Sequence, residues 1–367
     1  MKFNIAYLPG DGIGPEVASE AAKVLQTVCE KFGHKAILEY GDVGGISIDR
    51  HGVGLTPETL KMCRKSDAVL LGAVGGPKWD IPDSEVRPED GLLDLRKGLK
   101  LFANLRPVKV FPMMEHHTNL KPEVVHGVDL VVVRELTGGL YFGKPKKRWQ
   151  TEKGRKAVDS MVYTEQEIER ILRVGFEMAR GRRKKLASVD KQNVLMTSRL
   201  WREMAIEMSK EYPDVELEHH LVDACTMRLI QKPSAYDVIV TENTFGDIIT
   251  DEASMLAGSM GMLPSASLAD IPRVGSKVFG MYEPIHGSAP SRAGLNMANP
   301  IATIMSAAMM LRYSLGLAEA ADLIEKCVLD VLEDGFRTYD IMSDGRTKVG
   351  TREMGDLIVK KVAGAKV

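Results

Sequence analysis

Two spacings of apolar residues alternate along this chain. Short β-branched runs at residues 3–8, 68–71, 108–110, 130–133, 186–189, 215–221 and 238–240 read as strands. Between them, the stretches 15–32, 56–66, 164–180, 194–210 and 300–315 space their apolar residues three and four apart and read as helices. Such alternation predicts an α/β fold layered on a largely parallel sheet. A length of 367 residues exceeds what one core usually serves, so two domains are expected. No linker separates them, which suggests a chain that leaves one domain and returns to it. The stretch 137–159 is rich in Gly, Lys and Arg and reads as an exposed arm.

Charge and cysteine usage remove several function classes. The formal net charge is -1 and no segment is strongly basic, so nucleic acid is not expected as a main partner. Four scattered cysteines (Cys29, Cys63, Cys225, Cys327) argue against a disulfide scaffold or a zinc knuckle. The apolar stretch 301–311 is too short to span a bilayer and is followed by Arg312, so no membrane partner is expected. A soluble cytoplasmic protein is the expectation.

Candidate chemistry concentrates in residues 241–254. Asp247 and Asp251 stand four apart, beside an apolar-periodic run, and on a helix they would share one face of its first turn. Two carboxylates in that relation suit a hard cation such as Mg²⁺ or Mn²⁺; the competing reading is plain helix capping. The glycine loop of residues 10–17 follows a strand and opens a helix. It carries Pro15 where the dinucleotide fingerprint wants Gly or Ala, so a structural turn is expected there rather than a Rossmann phosphate cradle. Arg106 stands at the entrance to one strand candidate and Arg134 at the end of another; with Arg96, such arginines clustered around one cleft could clamp the carboxylates of a small acid. The pairs His116–His117 and His219–His220 diverge on either regular structure and are read as structural. The basic run 182–185 reads as a solvated helix end.

GLLDLRKGLKLFANLRP, RELTGGLYFG, SVDKQNVL, FGDIITDEASMLAGSMGMLPSAS and EPIHGSAP resemble, in order, the signature blocks of the β-decarboxylating dehydrogenases of the isocitrate/isopropylmalate family. The resemblance implies a two-domain fold distinct from the Rossmann fold. Residues 1–101 with 258–367 would form the cofactor-side domain, and 102–257 an inserted domain bearing a dimerisation arm. It implies a homodimer with shared active sites. Asp247 and Asp251 would bind the cation with Asp223 of the other subunit, Asp223 standing at a strand end. Arg96, Arg106 and Arg134 would hold substrate carboxylates. Leu92 and Leu93 would seat an isopropyl group, which points to the 3-isopropylmalate branch.

Tyr141 and Lys191 would carry the protons, Lys191 coming from the partner. Gly76, Glu89, Glu283, His286, Gly287, Ser288, Ala289 and Asn299 would contact NAD. The implied reaction oxidises the 2-hydroxyl, expels the β-carboxylate as CO₂ and yields 4-methyl-2-oxopentanoate for leucine biosynthesis. Related acids (3-methylmalate, tartrate, isocitrate) are alternative substrates. One departure stands out: NAD-using relatives usually carry Asp-Ile after Ser-Ala-Pro, whereas this chain has Ser291 and Arg292. NADP is therefore the alternative cofactor, although NADP-using relatives commonly have Lys-Tyr there. Phosphoryl transfer lacks a Walker loop, and a non-catalytic acid-binding protein leaves Tyr141 and Lys191 without purpose.

Overall fold

The computed structural model describes residues 1–81, 84–273 and 275–366. The strands in chain order begin with β1 (Lys2–Gly10), β2 (Lys35–Tyr40), β3 (Ala68–Ala73), β4 (Ala103–Lys109), β5 (Asp129–Glu135) and β6 (Lys147–Thr151). They continue with β7 (Gly154–Val158), β8 (Lys185–Asp190), β9 (Glu216–Leu221), β10 (Val238–Thr241), β11 (Pro264–Leu268) and β12 (Gly280–Pro284). Ten of them make one sheet, ordered β2-β1-β3-β12-β11-β4-β5-β10-β8-β9. Pairings on both flanks are parallel, while β12–β11, β11–β4 and β4–β5 are antiparallel. The largely parallel sheet thus has an antiparallel centre.

Helices cover both faces of the sheet, so β3 and β10 are buried along their whole lengths and read as unbroken apolar runs. The exposed β6–β7 hairpin, KRWQT paired with GRKAV, lies within the stretch read as an arm. Strands β1, β2, β3, β11 and β12 come from residues 1–101 and 258–367, and the other five from 102–257. The two sets meet where β11 pairs with β4. At that seam the buried Asn104 amide donates to Ser265 Oγ at 2.8 Å and Ser267 Oγ at 3.1 Å.

Local chemistry sets the helix boundaries. Thr56 caps the helix Pro57–Lys65, and Thr164 caps Glu165–Arg180 while Glu167 reciprocates. The helix carrying the acidic pair starts earlier than its apolar pattern suggests. It spans Asn243–Ser254, with the Glu242 carboxylate accepting from the Thr244 and Phe245 N–H groups. Asp247 and Asp251 therefore stand in the helix interior rather than the first turn, and the capping role is already filled. Asp223 is likewise the second residue of the helix Val222–Gln231, which follows β9 directly, rather than a strand-end residue.

Two surface readings also change. The run at residues 182–185 is pinned rather than merely solvated: buried Asp237 accepts from Arg182 Nε and the Arg183 N–H, both at 2.8 Å. Arg182 also reaches Asp129, tying the turn to the start of β5. The glycine loop is a turn built around Asp11, whose carboxylate takes N–H groups of Gly45, Ile46 and Gly75 at 2.7–2.8 Å. Among the described residues, no helix is long and apolar enough to cross a membrane.

Candidate active site

The parallel strands of the flank formed by β5, β10 and β8 end side by side, and chemistry-bearing residues follow their carboxyl ends, as open α/β sheets favour. Arg134 lies near the end of β5, the helix Asn243–Ser254 follows β10, and Lys191 follows β8. Arg106 reaches the same place from antiparallel β4.

There the residues close on one another. Arg134 Nη1 donates to Asp247 Oδ1, and Tyr141 donates its hydroxyl to Asp247 Oδ2 at 3.0 Å. Arg106 Nη1 stands 3.6 Å from Asp247 Oδ1 and 3.9 Å from Asp251 Oδ1. Its Nε donates to Asn104 Oδ1 at 2.8 Å, so the seam residue aims this guanidinium. Gly246 lets the helix pass close over Arg134: a Cβ there would meet Arg134 Cγ at 2.6 Å.

The charges are unevenly balanced. Burial raises the Asp247 carboxyl, but the guanidinium groups of Arg134 and Arg106 outweigh it and hold the value below the ordinary carboxylate range. Asp251 is raised, first by burial and then by the negative Asp247. Burial and neighbouring Arg134 lower Arg106 to about 10. Tyr141 is pushed up to about 12 by burial and by Asp247, so it is a protonated donor. Two like charges one helical turn apart, with Asp251 only distantly faced by Arg106 and its side chain 59% exposed, are a donor set suited to a divalent cation.

Arg96, on the helix Pro88–Gly98, donates from Nη2 to Glu283 Oε1 at 2.7 Å, and both are buried. The same helix separates the two leucines. Leu92 packs against the core formed by Leu8, Leu71, Leu95 and Met281, whereas Leu93 lines a groove of about 210 Å³ with Tyr141, Phe142 and Lys97.

Lys191 and Asp223 do not join the acidic pair within the chain. They pair with each other, Nζ to Oδ1 at 2.5 Å, and this contact lowers Asp223. Among the described residues, no three His, Cys, Asp or Glu side chains gather as a metal centre.

The residues expected around NAD line two neighbouring cavities. The first, of about 290 Å³, is lined by His286, Gly287, Ala289 and Asn299 together with Ile13 of the glycine loop. His286 Nε2 is buried without a partner, an open hydrogen-bonding position suited to a heterocyclic base. The second, of about 400 Å³, is lined by Gly76, Trp79, Glu89 and Pro290, the last of these following Ala289 of the first in the chain. Glu89 and Ser288 both approach Gly75. Glu283 stands apart from both walls, holding Arg96. The glycine loop supports the cofactor loop through the Ile13 N–H, which donates to Ser288 O at 2.8 Å.

Sequence reasoning passed over Asn243, Thr250, Tyr339 and Asp340. Thr250 accepts from Arg106 and sits between the two aspartates on their helix. Tyr339 and Asp340 line the first cavity, and Arg292 stacks over the Tyr339 ring with 4.7 Å to its centroid. Asn243 and Thr250 lie in the stretch 241–254 that carries the acidic pair, where their position could have marked them; nothing local to residues 339–340 announced a cavity wall.

Comparison with known proteins agrees with this geometry. The family model described as isocitrate/isopropylmalate dehydrogenase matches residues 4–358. A 3-isopropylmalate dehydrogenase of Dehalococcoides mccartyi is 62% identical over 365 residues, covering 99% of this chain and 100% of that protein. One from Pseudomonas putida is 56% identical over 360 residues, covering 98% of each. Among solved structures, an isocitrate dehydrogenase from Methylococcus capsulatus superposes with a TM-score of 0.85 at 34% identity, covering 98% of this chain and 99% of that one. A β-decarboxylating dehydrogenase from Thermococcus kodakarensis, in its apo form, gives 0.77 at 34% identity, covering 98% and 96%. With its fold, its basic–acidic cluster and nearly its whole length in agreement, the chain belongs to the isocitrate/isopropylmalate dehydrogenase family.

Proposed function

We propose that this enzyme oxidatively decarboxylates 3-isopropylmalate to 4-methyl-2-oxopentanoate and CO₂ with NAD as hydride acceptor, a step of leucine biosynthesis. The observation that carries this reading is Arg106, one buried guanidinium within 4 Å of both Asp247 and Asp251. An acidic pair for a cation beside arginines for an acid is what a hydroxy-diacid substrate requires. The names of the relatives supply the substrate, and Leu93, facing the groove beside Tyr141, supplies an apolar contact for its alkyl branch.

Each side chain takes a role from its surroundings. Asp247 and Asp251 hold Mg²⁺ or Mn²⁺. Arg96, Arg106 and Arg134 grip the two carboxylates and orient the acid. Once bound, the cation supplies Lewis-acid stabilisation of developing negative charge and the nicotinamide accepts the hydride. Lys191 takes the proton of the 2-hydroxyl. Tyr141, protonated throughout the neutral range, delivers a proton to the carbon that loses CO₂. Leu93 offers a third carboxylate no hydrogen bond of its own, which favours the alkyl branch over that of isocitrate.

Lys191 and Asp223 serve the neighbouring protomer in a homodimer with shared sites. In support, Asp223 is 57% exposed at its side chain, and apolar Met227 and Ile248 are exposed on the helices bearing Asp223 and Asp247. Residues 1–101 with 258–367 form the cofactor side and 102–257 the inserted unit. NAD lies along the two cavities, with adenine by His286 and the nicotinamide end by Gly76 and Glu89.

The test is direct. Purified protein with Mg²⁺, NAD and 3-isopropylmalate should produce absorbance of reduced nicotinamide, and should prefer this acid over isocitrate, malate and tartrate. NADP run in parallel ranks the cofactors. Asp251→Asn should keep its circular dichroism and lose most turnover; full activity in metal-chelated buffer would overturn the cation role.

A further inference from the structure

Four of the site's groups belong to one closed circuit of hydrogen bonds, and its hub is a residue that touches no solvent. Asn243 is fully buried at the first turn of the helix that bears the aspartates. Its side-chain oxygen accepts from Arg134 twice, from Nε at 3.0 Å and Nη2 at 2.7 Å. Its side-chain nitrogen donates to the carbonyl of Gly138 at 3.0 Å. Its own N–H donates to the Tyr163 hydroxyl at 3.0 Å, which fixes the residue from behind. The circuit then runs from Arg134 to Asp247, from Asp247 to Tyr141, and through the turn 138–141 back to Gly138.

We propose that Asn243 is a positioning residue that sets the substrate-gripping arginine and the proton-donating tyrosine through two separate atoms. Its Oδ1 holds the Nε–Nη2 edge of the Arg134 fork, so that Nη1 is turned toward the acidic pair. Its Nδ2 tethers the turn that presents Tyr141. That turn is otherwise held by the Glu135 carboxylate, which takes the Thr137 and Gly138 N–H groups, and by the Gly139 N–H, which donates to the Val162 carbonyl at 3.1 Å. Asn alone among the small side chains offers an acceptor and a donor at that spacing. A buried acceptor or donor left alone there carries a full desolvation penalty, so neither contact is idle.

The two atoms give separable consequences, and the inference rests on the roles proposed above for Arg134 and Tyr141. Asn243→Asp keeps an acceptor for Arg134 but sets a carboxylate oxygen against the Gly138 carbonyl. Asn243→Ala removes both contacts. Steady-state kinetics with 3-isopropylmalate should show Asn243→Ala raising KM and lowering kcat, each by about tenfold or more. Asn243→Asp should recover much of the KM while kcat stays low. Amide hydrogen exchange of residues 138–141, read by mass spectrometry without substrate, should quicken in both variants and stay slow in the parent.

Should the alanine variant fail to fold, Asn243→Ser replaces it, its hydroxyl being too short to make both contacts. Parental kinetics in both variants, equal fold-changes of KM and kcat in both, or unchanged exchange in the 138–141 turn would overturn the proposal. A parent protein inert toward 3-isopropylmalate would instead overturn the functional reading, leaving the exchange result to judge Asn243.

Discussion

Arg96 and Glu283 stand 187 residues apart in the chain and meet at 2.7 Å, tying the helix Pro88–Gly98 to strand β12. Both are buried, and Arg96 Nε has no partner of its own. Glu283→Ala leaves a buried guanidinium without its counter-charge, so urea unfolding should show a loss of about 3–5 kcal/mol. Glu283→Gln keeps an acceptor and should lose less. Equal midpoints for parent and alanine variant would count against this account of the pair.

The adjacent leucines should fail in different ways. Leu92 packs on the core, so Leu92→Ala should lower the unfolding free energy by about 1–2 kcal/mol for a half-buried side chain. Leu93 lines the groove beside Tyr141, so Leu93→Ala should weaken selection for the branched acid over malate by about tenfold in kcat/KM. The measurement pairs a denaturation curve with a two-substrate kinetic comparison; swapped phenotypes would reverse the assignment.

Gly12 has φ +59°, and a Cβ there would meet the Ser288 carbonyl oxygen at 2.0 Å. Gly12→Ala must therefore push the cofactor loop aside. The KM for NAD should rise while the KM for 3-isopropylmalate stays within about twofold. An unchanged KM for NAD would separate the glycine loop from cofactor binding.

Three histidines, His117, His219 and His286, are held below their ordinary value of 6.5, in each case chiefly by burial. The folded protein keeps them neutral, while the unfolded chain takes up protons as the pH falls through 6.5. Their neutral state thus stabilises the fold fully above that pH, and the benefit is lost as the solution is acidified toward their folded values. Melting temperatures recorded from pH 7.5 to 5 should fall, and His219→Asn, away from the cofactor cavities, should flatten part of that slope. A parallel curve for the variant would exclude His219 as a contributor.

Of the candidate site, only the acidic pair one helical turn apart suggested chemistry by its spacing; Tyr141 and the others were named through long blocks that resemble the family. Helix starts at Thr56 and Thr164 were readable because a side-chain oxygen caps each. The start at Asn243 was missed because Glu, rarely used as a cap, holds the first N–H groups. Strands β2, β11 and β12 were missed for another reason. Ser, Pro and Gly dilute β11 and β12, and β2 is a short Ala-Ile-Leu run between Lys35 and Glu39, so only their sheet neighbours make them strands. Nothing in the spacing of Arg106 and Asp247 foretold their approach, since convergence across 141 residues is a property of strand order.

The antiparallel meeting of β4 and β11 has an evolutionary corollary. Ala103 faces Leu268 and Leu105 faces Ala266, so the backbone departs toward the half bearing the acidic pair and comes home along the same line. Recombination could trade everything between those two points as a single cassette with two splice sites, both on one ribbon of backbone. A lineage inheriting such a joint could exchange the strands and helix bearing Arg106, Arg134 and the acidic pair as one unit while the helix of Leu93 and Arg96 stays in place.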